Sequence, residues 1–399
     1  MPLASGPLCL RAVSIASSSP FASVAGQLVC LQNPATPHKI KNLLRLFVLK
    51  SDSALSCRLT FVFGVDMHVT AVIVTYGGRQ HYCTRTLDRC LKEGADKVIL
   101  VENEVTADAS AIYAEKKREC NLIQILKLES NRGSAGGIGA AVDMLKAEPM
   151  DGMVLFLDDD NLLADGALRV LMDQYRSITA FDSSDPILFC NRAPEFPDDA
   201  LALSFGEPKV LKLNSFMGFS LYHALIKRFG PSRESSSNPI ALVDVDHGPW
   251  GGMFISVAQL SAAEPVRSDF YLYGDDLWFT YNRALQNVPM KLVGDAEIYD
   301  LASTYAGVFS YFSPDLPAFK AYYSIRNYAY MSKFVVTSKL AYNANKIVFL
   351  FYQFVRESYF SWRRFTDIFQ RALLIRRALG DGGAENLGKV NEMLFDKNK

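Results

Sequence analysis

Three consecutive aspartates, Asp158, Asp159 and Asp160, directly follow the apolar segment 153–157. Because alternate residues of an extended chain face the same side, Asp158 and Asp160 can point together while Asp159 turns aside. Two carboxylates with hard oxygen atoms suit Mg²⁺ or Mn²⁺, which also binds a diphosphate. A solvated acidic turn is the alternative interpretation, since runs of like charge usually lie in water.

A second candidate is the glycine-rich segment 130–139, which we interpret as a turn entering a helix over 138–147. Glycines let a nucleotide approach the backbone, and the start of a helix offers free N–H groups. A tight turn without a ligand is the alternative. The spacing lacks the Gly-x-Gly-x-x-Gly pattern directly after the first strand, which argues against a dinucleotide-dependent dehydrogenase.

Two further aspartates, Asp275 and Asp276, follow Gly274 at the start of a predicted helix. The helix dipole keeps a carboxylate at this position ionised, which suits a general base. One of the two can instead serve as an N-cap.

Upstream of them, Trp250 is followed by Gly251 and Gly252. An indole beside glycines is typical of a flat platform on which sugar rings stack. An ordinary core position for Trp250 is the alternative.

The elements that must position these residues alternate between strand and helix. Strand patterns cover 69–75, 97–101, 122–128, 153–157 and 186–190, and helical patterns cover 80–93, 107–119, 138–147 and 165–175. This alternation predicts an α/β fold with a mainly parallel sheet between helices. Ligands bind beyond the carboxyl ends of such strands, and the polar clusters fall there.

Beyond residue 317 the chain becomes helical and aromatic up to about residue 379, with five arginines near its end. This amphipathic region is expected either to contact an anionic membrane surface or to pack as a helical hairpin on the catalytic domain. We therefore divide the chain into an N-terminal extension (1–66), a main domain (67–316) and a C-terminal helical region (317–399).

Composition restricts the class of protein. The 399 residues are 49% hydrophobic, and 42 basic residues balance 42 acidic ones, so nucleic-acid binding is not expected. Seven scattered cysteines without a Cys-x-x-Cys pair indicate a reducing compartment. No apolar run approaches the roughly 20 residues that span a bilayer.

Segment 1–66 is rich in Ser, Ala, Pro and basic residues, which suggests a transit peptide or, as we favour, an extension preceding a start at Met67.

Six motifs occur in a fixed order: VTY at 74–76, EN at 102–103, NRGSAGG at 131–137, DDD at 158–160, WGGMF at 250–254 and GDD at 274–276. Together they resemble family 2 glycosyltransferases with the GT-A fold, and most closely the branch of rhamnosyltransferases and galactofuranosyltransferases. The YYSIRN segment at 322–327 resembles a signature that follows the catalytic domain in that branch. The similarity extends from about residue 68 to 327.

The resemblance implies a role for each matching residue. The base and ribose pocket would be lined by Thr75, Tyr76 and Asn103, and closed by Asn131, Gly136 and Gly137. The metal would be held by Asp158 and Asp160, with Asp159 against the ribose or donor sugar. The base would be Asp276, beside Asp275, and the acceptor wall would comprise Trp250, Gly251 and Gly252.

Three positions depart from the family pattern. Gly77 stands where the family usually has Asn, and Trp278 stands at a usually acidic position. The metal-binding His that commonly follows the late strand is absent, and Asp300 is the candidate third ligand in its register.

The resemblance implies an inverting, metal-dependent glycosyltransferase. The expected donor is dTDP-rhamnose or UDP-galactofuranose, and the expected acceptor is a glycan or lipid-linked glycan in cell-surface polysaccharide synthesis. A cytoplasmic location is expected, with the inner face of the cell membrane as an option. The alternatives are a nucleotidyltransferase and a catalytically inactive glycan-binding protein of the same fold.

Overall fold

The computed structural model describes residues 67–147, 151–192, 213–229, 241–302 and 310–396. The predicted extension 1–66 lies outside these residues. The strands described are β1 (Val69–Gly77), β2 (Lys97–Val105), β3 (Ile123–Leu128), β4 (Met153–Asp158), β5 (Asn161–Leu163), β6 (Ile187–Asn191), β7 (Leu242–Asp244), β8 (Met253–Ser256) and β9 (Met290–Asp300).

In this part of the chain the strands form one sheet in the order β3-β2-β1-β4-β8-β6-β9-β5, with β7 also paired to β9. The strands β3, β2, β1 and β4 pair in parallel, as do β6 and β9. Between these groups, β8 is antiparallel to both β4 and β6. The parallel pairing brings the carboxyl ends of β1, β2 and β4 to one edge of the sheet, as predicted.

Helices cover this sheet and continue beyond it. The helices described are α1 (Gln80–Lys92), α2 (Ala107–Glu119), α3 (Gly133–Ala147), α4 (Ala167–Asp182), α5 (Leu221–Phe229), α6 (Val257–Ala262), α7 (Asp275–Leu285), α8 (Ala318–Val335), α9 (Lys339–Phe360), α10 (Phe365–Gly383) and α11 (Met393–Asp396). None of these helices combines the length and the apolar character needed to span a bilayer.

The central strands are apolar on both faces because both faces are covered. In β4, Leu155 and Leu157 join one hydrophobic cluster, while Val154 and Phe156 join the other. A half-buried strand would alternate apolar with polar residues instead. This burial explains the continuous apolar runs in the sequence and confirms the predicted fold class, a mainly parallel sheet between helices with a helical C-terminal region.

Local signals set several helix boundaries correctly. Thr106 caps α2 by accepting a hydrogen bond from the Ala109 N–H (3.4 Å), and α1 ends just before Gly94, whose φ is +93°. The start of α3 differs from the prediction. The glycine-rich segment is not a turn but the first part of the helix, which begins at Gly133 rather than at Ile138.

The helical C-terminal region is joined to the main domain by buried polar contacts. Arg326 and Asn327 of α8 are fully buried, and both donate hydrogen bonds to the Phe270 carbonyl (2.8 and 3.0 Å). These two residues belong to the YYSIRN segment, so its function in the fold is to anchor the loop that precedes Gly274.

Candidate active site

The carboxyl ends of β1 and β4 meet at the triple aspartate. Val74 pairs with Asp158 in the sheet register, which places Thr75 beside Asp159. Thr75 donates its hydroxyl hydrogen to Asp159 Oδ2 (2.8 Å). The middle aspartate therefore points back into the protein. Asp160 is buried beside it in a turn while Asp158 is exposed, so the predicted alternation of an extended segment does not describe this site.

Arg79 holds two of the three aspartates. Its Nε donates to both carboxylate oxygens of Asp159 (2.9 Å each), and its Nη2 donates to Asp160 Oδ2 (2.7 Å). Asp159 is nearly fully buried, so these contacts together with Thr75 occupy its carboxylate. The expected contact of Asp159 with a ribose or donor sugar is therefore wrong for this conformation, in which Asp159 is an internal anchor for Arg79.

A second arginine, Arg192, holds Asp300 at the end of β9. Its Nη2 donates to both oxygens of Asp300 (2.6 and 2.8 Å). Asn161 joins this pair to β4, because its Nδ2 donates to Asp300 (2.7 Å) while its Oδ1 accepts from the Asp158 N–H (2.9 Å). This network fixes the ends of β4 and β9 relative to each other.

The carboxylates at this edge are close enough to affect one another. Asp158 is exposed at the end of β4, but partial desolvation of its carboxyl raises its pKa; the charges of Asp160, Asp159 and Asp300 add to the rise, and Arg192 opposes it. The pKa of Asp160 is also raised by burial and by Asp159, with Arg79 opposing. The site thus concentrates negative charge that two arginines neutralise only in part.

The donor set fits a hard divalent cation in its chemistry, because clustered carboxylate oxygens are the ligands that Mg²⁺ and Mn²⁺ prefer. Among the described residues, however, no three acidic, His or Cys side chains are arranged to share one ion. Asp300, expected as a third ligand, is engaged by Arg192 and Asn161 instead. Asp160 is engaged in the same way by Arg79, so Asp158, Asp160 and Asp300 all stay predicted ligands.

The second pair of predicted site aspartates lies at the start of α7. Asp275 is the first residue of this helix, follows Gly274 (φ +82°) and is almost fully buried. Burial raises the pKa values of both Asp275 and Asp276. The charge of Asp158, at the end of β4, adds to the rise in the pKa of Asp275. The charge of Arg192, just after β6, lowers the pKa of Asp276.

Trp250 does not form the expected stacking platform. Its side chain is only 5% exposed and packs against Phe156 and Phe279, with ring centroids 5.0 and 4.7 Å away. Its indole N–H donates to Asp275 Oδ2 (2.8 Å). The core interpretation of Trp250 is therefore the correct one, because neighbouring rings and Asp275 occupy the surface that a sugar would need.

The two glycines that follow Trp250 are required by close packing. A Cβ on Gly251 would lie 2.8 Å from Asp158 Oδ2, and one on Gly252 would lie 2.8 Å from Cys190 Cβ. The backbone at residues 251 and 252 therefore passes directly over the ends of β4 and β6. Gly251 lies at the site through its contact with Asp158, while Gly252 lies over the sheet.

The glycines of α3 serve packing as well. A Cβ on Gly137 would lie 2.5 Å from Val74 Cγ1, and one on Gly136 would meet the side chain of Arg132. Both glycines are buried. Gly137 lets α3 lie against β1, and the approach of a nucleotide to the two glycines stays a prediction.

Asn103 and Asn131 shape the start of α3. Asn103 donates to the Gly133 carbonyl (2.9 Å) and accepts from the Arg132 N–H (2.8 Å), while Asn131 Oδ1 accepts from the Gly133 N–H (2.8 Å). Asn103 is buried, and its amide is used within the protein. Of the residues expected to contact the base, Tyr76 is the accessible one: its side chain is 52% exposed, with the Arg79 guanidinium 5.5 Å from its ring centroid.

Sequence reasoning missed Arg79, Arg192 and Asn161. Arg79 follows two glycines at the end of β1. Ligands bind beyond the carboxyl ends of parallel strands, so this position could have identified Arg79 as a site residue. Arg192 follows β6, which joins the sheet next to β8 far from its sequence neighbours. No local pattern marks such a residue.

Comparison with known proteins gives a family match for part of the chain. Residues 70–185 match the model of glycosyl transferase family 2. This range contains Thr75, Tyr76, Asn103 and the triple aspartate, but not Trp250, Asp276 or Asp300. A search of curated proteins gave no match.

Several solved structures are similar at low sequence identity. S. aureus TarS shares 15% identity over 73% of this chain and 44% of that chain, with a TM-score of 0.39. TarS 1-349 in complex with UDP shares 16% identity over 75% and 72%, with a TM-score of 0.37. GalNAc-T7 with UDP, GalNAc and Mn²⁺ shares 10% identity over 59% and 43%, with a TM-score of 0.41. The matches thus span less than half the length of the first TarS chain and of the GalNAc-T7 chain.

The family match covers the first four strands of the described sheet. The matched range includes β1 to β4, whose carboxyl ends carry Arg79, Asp158 and Asp160. The similarity to this family therefore covers the part of the sheet that carries these residues.

Proposed function

We propose that this chain is an inverting, metal-dependent glycosyltransferase that moves a sugar from a nucleotide-sugar donor onto a carbohydrate acceptor. The observation that carries the proposal is the convergence of acidic groups from three distant segments. The end of β4, the end of β9 and the start of α7 contribute Asp158, Asp300 and Asp275. The charge of Asp300 adds to the raised pKa of Asp158, and the charge of Asp158 adds to the raised pKa of Asp275.

Asp158 and Asp160 would hold Mg²⁺ or Mn²⁺, and the chemistry that such an ion supplies when bound is charge neutralisation of a departing diphosphate. Arg79 fixes Asp160 from the other side, and Asn161 fixes the backbone of Asp158. These contacts keep both carboxylates at the strand ends, so that little reorganisation is needed when charge develops.

Asp276 is the proposed base that takes the proton from the acceptor hydroxyl. Its side chain is only partly buried, whereas that of Asp275 is enclosed and bonded to Trp250. Burial raises the pKa of Asp276, and a carboxylate with a raised pKa is a stronger base near neutral pH. Asp275 is the positioning residue of the pair. We assign no carboxylate as a nucleophile, so a single displacement with inversion is proposed.

The proposed donor is dTDP-rhamnose or UDP-galactofuranose, with the exposed ring of Tyr76 available to the nucleotide base. The proposed acceptor is a glycan or lipid-linked glycan of a cell-surface polysaccharide, handled in the cytoplasm. A nucleotidyltransferase would need a free basic residue after the glycines of β1. Here Arg79 is engaged by Asp159 and Asp160, which favours the glycosyltransferase.

The test is a thermal-shift series on the full chain with UDP, dTDP and GDP, each with and without Mn²⁺. The proposal expects stabilisation by UDP or dTDP that depends on Mn²⁺ and is lost in Asp158→Asn. Asp143→Asn, at an exposed position of α3, is the matched control and should bind as the wild type does. Equal shifts for all three nucleotides, or an undiminished shift in Asp158→Asn, would contradict the site.

Turnover distinguishes the enzyme from an inactive glycan-binding protein. The chain is expected to release nucleoside diphosphate from UDP-galactofuranose or dTDP-rhamnose when Mn²⁺ and an acceptor glycan are present. The NMR coupling constant at the new anomeric carbon reports inversion or retention. Nucleotide binding without any diphosphate release would support the inactive alternative.

A further inference from the structure

The helix α9 exposes an apolar face to its surroundings. Ten of its residues are exposed, and only Lys339 and Asn343 among them are polar. The other eight exposed residues are Leu340, Ile347, Val348, Phe351, Tyr352, Val355, Tyr359 and Phe360. Apart from Phe360 at the helix end, their spacing of three, four and seven residues places them on one side of the helix.

The opposite side of α9 packs on the protein through apolar side chains such as Phe349, Leu350 and Phe354, and it also buries two amides. Asn345 and Gln353 are its only buried residues. Asn345 accepts from the Leu221 N–H (2.9 Å) and donates to the Asn214 carbonyl (2.8 Å), while Gln353 accepts from the Tyr311 N–H (2.9 Å). A helix at a water-facing surface carries polar residues on its outer face, whereas the outer face of α9 is mainly apolar. The exposed face of α9 is therefore suited to an apolar environment.

The apolar face continues into the next segment. Trp362 is 67% exposed, and α10 adds Phe365, Phe369 and Leu373 at intervals of four residues. We call these residues, with the exposed apolar residues of α9, the α9–α10 apolar surface. Scattered exposed apolar residues are normal on a soluble protein, but a continuous set of this extent marks a contact site.

The charge of this region is strongly positive. Between residues 339 and 380 only Glu357 and Asp367 are acidic. The basic residues of the same stretch are Lys339, Lys346, Arg356, Arg363, Arg364, Arg371, Arg376 and Arg377. The stretch therefore has an excess of basic residues beside exposed aromatic rings, although Arg371 is buried and Arg364 and Arg377 pair with acidic residues.

We propose that the α9–α10 apolar surface binds a lipid bilayer that contains anionic lipids, with both helices lying in its interface. Aromatic and aliphatic residues on one face together with Arg and Lys are the features by which interfacial helices bind such bilayers. Pairing with a second copy of this chain would bring two positively charged surfaces together, which is unfavourable. The inference is independent of the proposed catalytic activity.

The intrinsic fluorescence of Trp362 provides a direct test on the unmodified chain. Of the three tryptophans, Trp250 is buried and Trp278 is half-buried against a hydrophobic cluster, whereas Trp362 is exposed within the proposed surface. Vesicles of phosphatidylcholine and phosphatidylglycerol should shift the emission to the blue, and Trp362→Phe should abolish the shift. Vesicles of phosphatidylcholine alone should give a much smaller shift. An unchanged emission of the wild type on both vesicles would overturn the proposal.

Variants then assign the binding to the surface. Ile347→Glu combined with Phe351→Glu should reduce the fraction that co-sediments with anionic vesicles about tenfold or more, because two apolar groups no longer enter the interface. Phe181→Glu, on the exposed side of α4, is the matched control and should co-sediment as the wild type does. The fluorescence measurement keeps the test valid should the double variant not fold.

Two results would contradict the proposal. One is equal co-sedimentation of the double variant and the wild type. The other is a dimer of the full chain in solution that Phe351→Glu dissociates, because the surface would then bind a second copy. Raising the salt concentration should weaken vesicle binding of the wild type, since the basic residues act through screened electrostatic attraction.

Discussion

Trp250 donates its indole N–H to Asp275 at 2.8 Å and so joins the loop before β8 to the first residue of α7. Asp275 is 3% exposed, and burial raises its pKa while the bond from Trp250 opposes that rise. The bond fixes the start of α7, where Asp276 is the next residue. The indole therefore acts on the site as a positioning group rather than as a sugar platform.

Trp250→Phe tests this relationship, because it keeps a ring between Phe156 and Phe279 but removes the donor. Leaving the buried Asp275 oxygen without its donor should lower the free energy of unfolding by about 1–3 kcal/mol. We also expect a lower kcat with nearly unchanged donor binding. Urea unfolding and steady-state kinetics measure both. Trp362→Phe is the control and should leave stability unchanged, so equal behaviour of the two variants would contradict the role of Trp250.

Asp276→Asn tests the base assignment. The amide cannot accept the proton of the acceptor hydroxyl, so turnover should fall about 10²- to 10⁴-fold, the range that general-base catalysis supplies. Donor affinity, measured by titration calorimetry with the nucleoside diphosphate, should stay within a small factor of wild type. An active Asn variant would refute the assignment.

The buried carboxyl of Asp275 makes stability depend on pH. Because its pKa is raised by burial, the folded state keeps a proton that the unfolded state releases above about pH 4. Folding is therefore favoured most at low pH, and this contribution is lost as the pH rises toward the folded pKa. Asp275→Asn cannot ionise, and its unfolding free energy should decline less than that of wild type between about pH 5 and about pH 8.

Asp182→Asn is the control for this comparison. The pKa of the exposed Asp182 is lowered by bonds to Ser184, so Asp182 is ionised in both the folded and unfolded states throughout that pH range. Its removal should leave the pH dependence of urea unfolding unchanged. If the unfolding free energies of Asp275→Asn and wild type changed equally with pH, Asp275 would not be buried in its neutral form.

The sequence was most informative where structure is local. The strand at residue 69 and the helix starting at residue 107 were predictable because apolar runs and the Thr106 cap act within a few residues. The second half of the sheet was not, because β8 inserts antiparallel between β4 and β6 through contacts distant in sequence. Arg192 depends on that arrangement, so its pairing with Asp300 had no sequence signal.

Glycines misled the prediction for a different reason. Those of segment 130–139 suggested a flexible turn at a ligand, but a glycine can equally serve close packing within a helix. Gly137 is of this second kind, since it faces Val74. Only the three-dimensional position of the neighbouring strand distinguishes the two uses.

Gly137→Ala should therefore destabilise the fold. The added Cβ would lie 2.5 Å from Val74 Cγ1 on a central strand, and overpacking of this kind costs about 1–3 kcal/mol. Gly380→Ala is the matched control, because a Cβ there meets nothing within 4 Å inside α10. The control should be stabilising by about 0.5–1 kcal/mol from helix propensity. Chemical unfolding of both variants measures the difference, and equal stabilities would contradict the packing role.

Asn327 controls the loop that leads to Asp275 and Asp276. Its Nδ2 lies within 3.0 Å of the carbonyl oxygens of Phe270, Leu272 and Tyr273, and its Oδ1 accepts from Arg326 Nε (2.8 Å). Asn327→Ala leaves these buried carbonyls without their donor, which should cost about 1–3 kcal/mol. Because the freed loop carries Gly274 at the start of α7, kcat should fall more than donor affinity does.

Kinetics of Asn327→Ala at a temperature where both proteins remain folded separate the loop effect from global instability. Asn343→Ala, at an exposed position of α9, is the matched control and should behave as wild type in stability and turnover. A variant that loses stability but keeps its kcat would mean that the C-terminal helix supports the fold without positioning the catalytic carboxylates. The expected fall in kcat would instead assign to α8 a direct part in holding Asp276 toward the acceptor.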